Sequence, residues 1–402
     1  MSNLTRFGMT DPPEVGGQPG DYEERWAQWF LEQSFFRDFI YRNPRGKRKG
    51  TELADALVLF DDVALLVQVK AQCGNHDPVA WATEKLLDAL RQLKATHEQL
   101  GNDGITKLDH ELHGMAPFVA AAYPNHIGII VLAQENPQPF DAAGVVPELV
   151  TAGFPVHVFS LQDFKLVAAR FDTAGDFITF LELRGDVMPR ERYTVHNEEG
   201  NIERIIPHVR DVLERHMSPS TPEELEKTVA ALVATASGEW LASPGRQFGL
   251  AIDDIIARAH DIQEPVGPTR RRKNLVVAEF LGWLTRARRI FLGKRLVQRC
   301  LDARDGNPHY FVHVQKERGT GCVYLATAEA RPKRLETLKF LVAYAQMKHG
   351  LPRCLGVATE PIGDGRSYDF ALREGPLPEE LLAHLKSVDD PFGATEPLGM
   401  PE

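Results

Sequence analysis

The chain has 402 residues, 43% of them hydrophobic and 25% charged, which is ordinary for a globular protein and enough for two or more domains. It has no CxxC pair to suggest a zinc site and no apolar run of the roughly 18 residues that a membrane span needs, and no secretory signal is recognisable, so we expect a cytoplasmic protein. Its net charge of −10 argues against a protein that coats nucleic acid electrostatically, but it permits a locally positive substrate path.

The N-terminal half alternates helical and strand patterns after a Pro- and Gly-rich arm over residues 1–20. Aromatic residues at helical spacing predict the first helix, and two apolar runs joined at Asp61-Asp62 predict a hairpin. Asp77 and Pro78 are typical of a helix start. The predicted order is helix, hairpin, helix, strand, helix, strand and helix, over 21–40, 54–60 with 63–69, 77–100, 126–133, 147–153, 154–159 and 172–183.

The sequence pattern of the C-terminal half predicts a second, smaller α/β domain. We expect a charged connector over 191–221, a helical region over 222–305, a small α/β domain over 306–388 and a flexible tail over 389–402. The chain as a whole is therefore predicted to be α/β, with a mixed sheet flanked by helices in its first 190 residues.

Polar residues interrupt the two apolar strands of the predicted hairpin at one end. Gln68 and Lys70 project to the same face of their strand, because side chains alternate along a strand. A hairpin that turns at Asp61-Asp62 brings Asp55 beside them. A carboxylate, an amide oxygen and an ammonium group thus meet at one end of the sheet. Glu23, on the same face of the first helix as Trp26, is the expected second carboxylate.

Such a group can hydrolyse a phosphodiester. Asp55, Gln68 and Glu23 can hold Mg²⁺ or Mn²⁺, since hard divalent cations prefer oxygen ligands. Lys70 can stabilise the charge that develops on the phosphate or lower the pKa of the attacking water. The four residues are therefore candidate catalytic residues.

The string ELADALVLFDDVALLVQVK resembles the core of the PD-(D/E)XK nuclease superfamily, in which an Asp on one strand precedes an acidic-x-Lys triplet on the next. The segment YEERW is similar to the first helix of that superfamily and favours Glu23, with Glu24 as the fallback. Gln68 stands where an acid is usual, a Gln-x-Lys form similar to that of the Mrr-like restriction endonucleases. Gln92, in ALRQLKA, resembles a glutamine that orients the lysine or a phosphate.

The resemblance covers about residues 21–190 and implies a restriction-endonuclease-like fold. It also implies a metal-dependent endonuclease, with DNA favoured as substrate, in a bacterial restriction or phage-defence system. A homodimer and a partner protein from such a system are the expected assemblies, and the C-terminal region is expected to recognise or regulate.

Alternatives remain open for these residues and for the whole chain. Lys70 could be an edge-strand lysine that prevents pairing with another strand. Gln68 could be solvated and Asp55 could cap a turn. The neutral Gln68 could also mark a catalytically inactive nucleic-acid-binding protein, and the chain could instead be a scaffold subunit of a defence complex.

Two basic stretches are candidate nucleic-acid contacts, because they stand out in an acidic chain. The first precedes the strand of Asp55, and the second lies in the predicted helical region. Their candidate residues are Arg45, Lys47, Arg48 and Lys49, and then Arg270, Arg271, Arg272, Lys273, Arg288 and Arg289. The first stretch could instead be an ordinary solvated loop, and part of the second could be an amphipathic helix.

Overall fold

The chain divides into two compact units. A computed structural model describes residues 20–45, 52–74, 76–102, 105–111, 114–188, 194–216, 222–239, 245–260, 277–315, 318–361 and 367–392. Unit 1 comprises Met1–Leu213 and Val229–Leu241, and unit 2 comprises Glu214–Thr228 and Ala242–Glu402. The arm expected over 1–20 lies outside the described residues except for Gly20, and so does the expected tail beyond residue 392.

The first elements of the chain build a central sheet and the helices around it. In chain order they are α1 (Asp21–Phe35), β1 (Ile40–Arg42), β2 (Ala56–Phe60), β3 (Val63–Ala71), α2 (Pro78–Gly101), β4 (Lys107–His110), β5 (Gly114–Pro117), β6 (Asn125–Ala133), β7 (Phe140–Asp141), α3 (Ala142–Val145), β8 (Val156–Ser160), α4 (Leu161–Arg170), α5 (Ala174–Val187), β9 (Thr194–Val195), α6 (Glu198–Ile205), α7 (Val209–His216) and α8 (Pro222–Ser237).

Five of these strands form the main sheet, in the order β1-β2-β3-β6-β8. The β2–β3 pair is the predicted hairpin, with Phe60 opposite Val63 across the turn. β6 is parallel to β3, and β8 is parallel to β6. The predicted mixed sheet is therefore confirmed.

Helices cover both faces of this sheet. Phe35 of α1 contacts the ring of Phe60 on β2 and that of Phe177 on α5, which places α1 and α5 on one face. α2 covers the other face, where its residue Leu93 approaches Gly128 of β6. A Cβ at Gly128 would lie 3.1 Å from Leu93 Cδ1, so glycine permits the close packing of helix and strand.

Unit 2 contains the end of α7, the first part of α8 and a second sheet, and its remaining described elements follow α8. They are α9 (Arg246–His260), α10 (Arg286–Asp302), β10 (His309–Gln315), β11 (Thr320–Ala326), α11 (Arg331–His349), β12 (Arg353–Thr359), β13 (Tyr368–Glu374) and α12 (Glu379–Lys386). The strand order is β10-β11-β12-β13, with β11 and β12 parallel and the outer pairs antiparallel. The predicted strands and helix of the small α/β domain are thus present.

Some elements differ from those predicted. The expected helix over 147–153 is only a 3₁₀ turn, Pro147–Leu149, after the short α3. The range 191–221, expected to be a connector, contains β9, α6 and α7. No helix within the described residues is long and apolar enough to cross a membrane.

A buried ion pair explains why the range expected to be a connector is part of unit 1. Arg184 on α5 and Glu198 at the start of α6 are each at most 1% exposed. Arg184 donates to Glu198 Oε1 from Nε at 2.7 Å and to Oε2 from Nη2 at 2.8 Å. The Arg184 guanidinium also lies 4.2 Å from the ring centre of Phe159 on β8. The charged sequence here forms part of the core, where each charge is compensated.

We expect Glu198→Ala to lower the free energy of unfolding by about 3–5 kcal/mol, because it leaves the Arg184 charge buried without its carboxylate. Urea unfolding followed by circular dichroism measures the change. The neighbouring Glu199→Ala is the matched control, since Glu199 is 68% exposed where it pairs with Arg170. Glu199→Ala should lower the free energy of unfolding by no more than about 1 kcal/mol. Equal effects of the two variants would contradict a role for Glu198 in the core.

Candidate active site

Asp55 is fixed at the open end of the β2–β3 hairpin by two hydrogen bonds to β3. Its backbone N–H donates to Val67 O at 3.1 Å, which continues the ladder one residue beyond Ala56. Further along β3, the side chain of Asp55 replaces a backbone acceptor, because its Oδ2 accepts from the Val69 N–H at 2.5 Å. The carboxylate therefore lies level with Val69, the residue between Gln68 and Lys70.

Lys70 is held by helix α2, which covers this face of the sheet. Its Nζ donates to Gln92 Oε1 at 2.7 Å and lies 3.7 Å from Asp88 Oδ2. The Lys70 side chain is 17% exposed, whereas Gln68 on the same face is 4% exposed. Gln92 thus contacts the candidate lysine directly and positions its ammonium group.

The second carboxylate beside Asp55 belongs to Glu24 and not to Glu23. Glu23 Oε2 accepts from the Gly20 N–H at 2.7 Å, which caps the start of α1. Glu24 is half-buried, and its charge interacts with that of Asp55. The structure therefore favours the fallback Glu24 over Glu23, because the helix cap uses Glu23 Oε2 and the charge of Asp55 acts on Glu24.

Asn43 and Gln28 connect α1 to Asp55. The Asn43 side chain donates a hydrogen bond to Glu24, and its backbone N–H donates to Asp55 O at 3.1 Å. Gln28, one turn along α1 from Glu24, donates from Nε2 to Asp55 O at 2.8 Å and to Asn43 Oδ1 at 3.1 Å. These contacts fix the position of Asp55 from the side opposite to β3.

Burial and neighbouring negative charges raise the pKa of both acids. Burial, with the negative charges of Asp55 and Glu52, raises the pKa of Glu24 to about 7. Burial also raises the pKa of Asp55 to about 6, although the Val69 N–H and the charge of Lys70 act in the opposite direction. Two half-buried carboxylates that resist losing their protons form a place where positive charge would be stabilising.

The donor set fits a hard divalent cation, with few protein ligands. Glu24 and Asp55 supply two carboxylates, and Gln68 supplies an amide oxygen on the same sheet end. Mg²⁺ is often bound through only one or two carboxylates together with water and substrate phosphate. Within the described ranges, no three or more His, Cys, Asp or Glu side chains are grouped so that they could hold a metal ion. The site would therefore rely on substrate oxygens to complete the coordination.

The predicted nucleic-acid contacts have different outcomes. Arg45 is exposed and forms a β-bridge with Glu52, three residues before Asp55. Arg288 is half-buried in α10. Several candidates lie outside the described residues, namely Lys47, Arg48, Lys49, Arg270, Arg271, Arg272 and Lys273.

Arg289 cannot contact nucleic acid, and that prediction is wrong. It is fully buried, and its Nη1 donates to Asp253 Oδ1 at 2.7 Å. Its Nε and Nη2 donate to Leu284 O and Gly282 O at 2.9 and 3.0 Å. This arginine joins α9 to α10 inside unit 2.

Sequence patterns missed Asn43, Gln28 and Asp88, and they ranked Glu24 below Glu23. Glu24 and Gln28 are four residues apart and so share a helix face, a signal that could have favoured Glu24 over Glu23. Asn43 has a φ of 44°, a left-handed conformation that asparagine tolerates, but no motif in the sequence points to it. Asp88 lies four residues before Gln92 on α2, as expected for two side chains that reach the same lysine.

No protein-family model, no curated protein and no solved structure was found to match the chain.

We expect Asp55→Asn to raise the free energy of unfolding of the metal-free protein at pH 8 by about 1–2 kcal/mol. The folded protein keeps the Asp55 proton up to about pH 6, whereas the ordinary value of 3.8 applies once the chain unfolds. The native carboxyl therefore contributes stability below its unfolded pKa that is lost as the pH rises through about 6.

Urea unfolding at pH 8 and at pH 4 measures this difference, which should fade at the lower pH. Asparagine can still accept the Val69 N–H, so the substitution removes the charge with little change in shape. Asp62→Asn, at the exposed turn of the same hairpin, is the control for the chemical change itself. A destabilised Asp55→Asn protein at pH 8 would contradict the electrostatic account.

Proposed function

We propose that the chain is a metal-dependent nuclease that hydrolyses phosphodiester bonds, with DNA favoured over RNA. One observation carries the proposal: Asp55 accepts a hydrogen bond from the Val69 N–H and so lies level with both Gln68 and Lys70. Glu24 adds a second carboxylate whose charge interacts with that of Asp55. The resemblance of ELADALVLFDDVALLVQVK to the PD-(D/E)XK core supports the same function, and with it a restriction-endonuclease-like fold.

The roles follow from the chemistry of each side chain. A Mg²⁺ or Mn²⁺ ion held by Asp55, Glu24 and Gln68 would supply a Lewis acid for the phosphoryl oxygens. Lys70 would place its ammonium group against the charge that develops on the phosphate, where a fixed cation stabilises the transition state more than the ground state. Gln92 would position Lys70 through the 2.7 Å hydrogen bond from Nζ, without touching the reacting atoms.

We expect wild-type protein to cut DNA with Mg²⁺ or Mn²⁺, and Lys70→Ala and Asp55→Ala to lose on the order of 10²–10³-fold in rate. Cleavage of supercoiled plasmid, linear duplex, single-stranded DNA and RNA measures the activity and identifies the polymer. Lys107→Ala and Asp62→Asn, at exposed residues, are the controls, because they remove a positive and a negative charge away from the site. Cleavage that survives both site variants would assign the activity to other residues or to a contaminant.

A catalytically inactive nucleic-acid-binding protein is the second candidate function. It is favoured by the neutral Gln68 and by the lack of a group of three acidic or metal-binding side chains in the described part of the chain. An intact metal site would gain thermal stability from millimolar Mn²⁺, because a ligand that binds only the folded state stabilises it.

Thermal unfolding with and without Mn²⁺ therefore separates the two candidates. We expect a rise in Tm for wild type and none for a Glu24→Gln, Asp55→Asn double variant. No rise for wild type, together with no cleavage, would favour the inactive binding protein.

The biological setting that we propose is bacterial restriction or phage defence, with unit 2 recognising the target or regulating the cut. This part rests on analogy with stand-alone nucleases of such systems. A homodimer is the simplest assembly for cutting both strands of a duplex, and a partner protein of the same system could control it.

A further inference from the structure

A cleft opens beside Lys70, where the chain leaves β3 and enters α2. Its volume is about 460 Å³, within the range of about 300–1,000 Å³ of small-molecule sites. One wall is the end of β3 and the segment after it, and the other is the first two turns of α2. The lining residues are Ala71, Cys73, His76, Asp77, Ala80, Trp81, Glu84 and Lys85.

The cleft adjoins the candidate active site through Asp88. The carboxylate of Asp88 lies 3.7 Å from Lys70 Nζ, and its charge also acts on Lys85 in the cleft. Glu84 precedes Asp88 by four residues on α2, or about 6 Å along the helix axis. A chain of nucleotides that has one phosphate at Lys70 would therefore place a neighbouring nucleotide at the cleft.

Hydrogen bonds to β6 and its end fix both walls in place. Gln72 N–H on the first wall donates to Ala133 O at 2.9 Å. On the second wall, Gln134 Nε2 donates to Pro78 O at 2.9 Å, and Asp77 Oδ1 accepts from the Ala80 N–H at 2.8 Å. Both walls are thus joined to β6 and its end by hydrogen bonds.

The chemistry of the lining favours one kind of occupant. Ala71 and Ala80 offer an apolar surface, and Trp81 is mostly buried at 6% exposure. The ionisable side chains of the rim carry both signs, with Lys85 Nζ 2.7 Å from Glu84 Oε1. A free inorganic anion would find one lysine, Lys85, beside the two carboxylates of Asp77 and Glu84. A nucleotide fits better, because the amino groups on the edge of its base can donate to those carboxylates while its phosphate reaches Lys85.

We propose that this cleft binds the nucleotide next to the phosphodiester that is cut. The inference rests on the proposed nuclease function. The base packs against Ala80 and the wall at Ala71, and Lys85 contacts the phosphate on the far side of that nucleotide. The subsite holds the strand so that the bond to be cut remains at Lys70.

Cys73 provides a readout that does not depend on cleavage. It is exposed in the cleft, whereas Cys300, Cys322 and Cys354 are buried, so one thiol should react fast with the aromatic disulfide reagent DTNB. A phosphorothioate DNA 12-mer, with Ca²⁺ in place of Mg²⁺, should slow that reaction by about fivefold or more. Cys73→Ser is the control that assigns the fast phase.

Filling the cleft tests the same inference through affinity. Ala80→Phe should raise KM for DNA at least tenfold and weaken binding of the 12-mer, measured by fluorescence anisotropy, while kcat changes less than threefold. Val79→Phe is the matched control, because Val79 is the exposed neighbour that does not line the cleft. Lys85→Glu should weaken binding in the same direction as Ala80→Phe.

The outcomes separate this inference from the proposed function. The subsite would be overturned if wild type cleaves DNA, the 12-mer does not protect Cys73, and Ala80→Phe has the same KM as Val79→Phe. The nuclease function would then still stand. An absence of both cleavage and DNA binding by wild type would overturn the two together. Protection of Cys73 with a raised KM in Ala80→Phe would establish the subsite.

Discussion

Parallel pairing of β3 with β6 is the constraint on which the site depends. Parallel neighbours cannot be joined by a tight turn, so the chain must cross from one end of the sheet to the other. The 24 residues of α2 make most of that crossing and cover the face from which Lys70 projects. As a result, one helix supplies Gln92 and Asp88 to the lysine and also forms one wall of the neighbouring cleft. The hairpin brings Asp55 to the same place from the other side, since its register is set by the tight turn at Asp61-Asp62.

Sequence patterns predicted the parts of this arrangement that depend on local order. The hairpin, the long helix and the strands of both sheets follow from apolar periodicity, and the hairpin alone brings Asp55 to the end of β3 that carries Gln68 and Lys70. Choices that depend on contacts between distant residues were not predictable. Glu23 and Glu24 differ by about 100° around a helix, and the cap at Gly20 decides between them. Arg289 looks like part of a basic surface until its partner Asp253, 36 residues away, is known.

The second sheet repeats part of the topology of the first, although its outer strand β13 is antiparallel to β12 whereas β8 is parallel to β6. In both, an antiparallel hairpin is followed by a helix and by a strand parallel to the second hairpin strand. The equivalent positions can be found from the last residue pair at the open end of each hairpin. That pair is Ala56 with Val67 in the first sheet and His309 with Ala326 in the second. Asp55, Gln68 and Lys70 then correspond to Pro308, Thr327 and Glu329. The carboxylate is missing, and the lysine is replaced by an acid that pairs with Lys333 at 2.5 Å. The same framework thus occurs twice, and only the first copy carries the charges that suit a phosphate.

The buried pair of Arg184 and Glu198 sets practical limits on dissecting the protein into fragments. A fragment cut at residue 190, where the sequence pattern ends, would lose β9 and α6 and leave a guanidinium inside the core without its counter-charge. Cutting at residue 213 keeps that pair but removes the acceptor of the 2.9 Å hydrogen bond from Arg170 Nη1 to Ala236 O. Residues 229–241 belong to unit 1 although the chain has by then passed through unit 2. Recombinant expression of the first unit alone therefore calls for a fragment that extends to about residue 241.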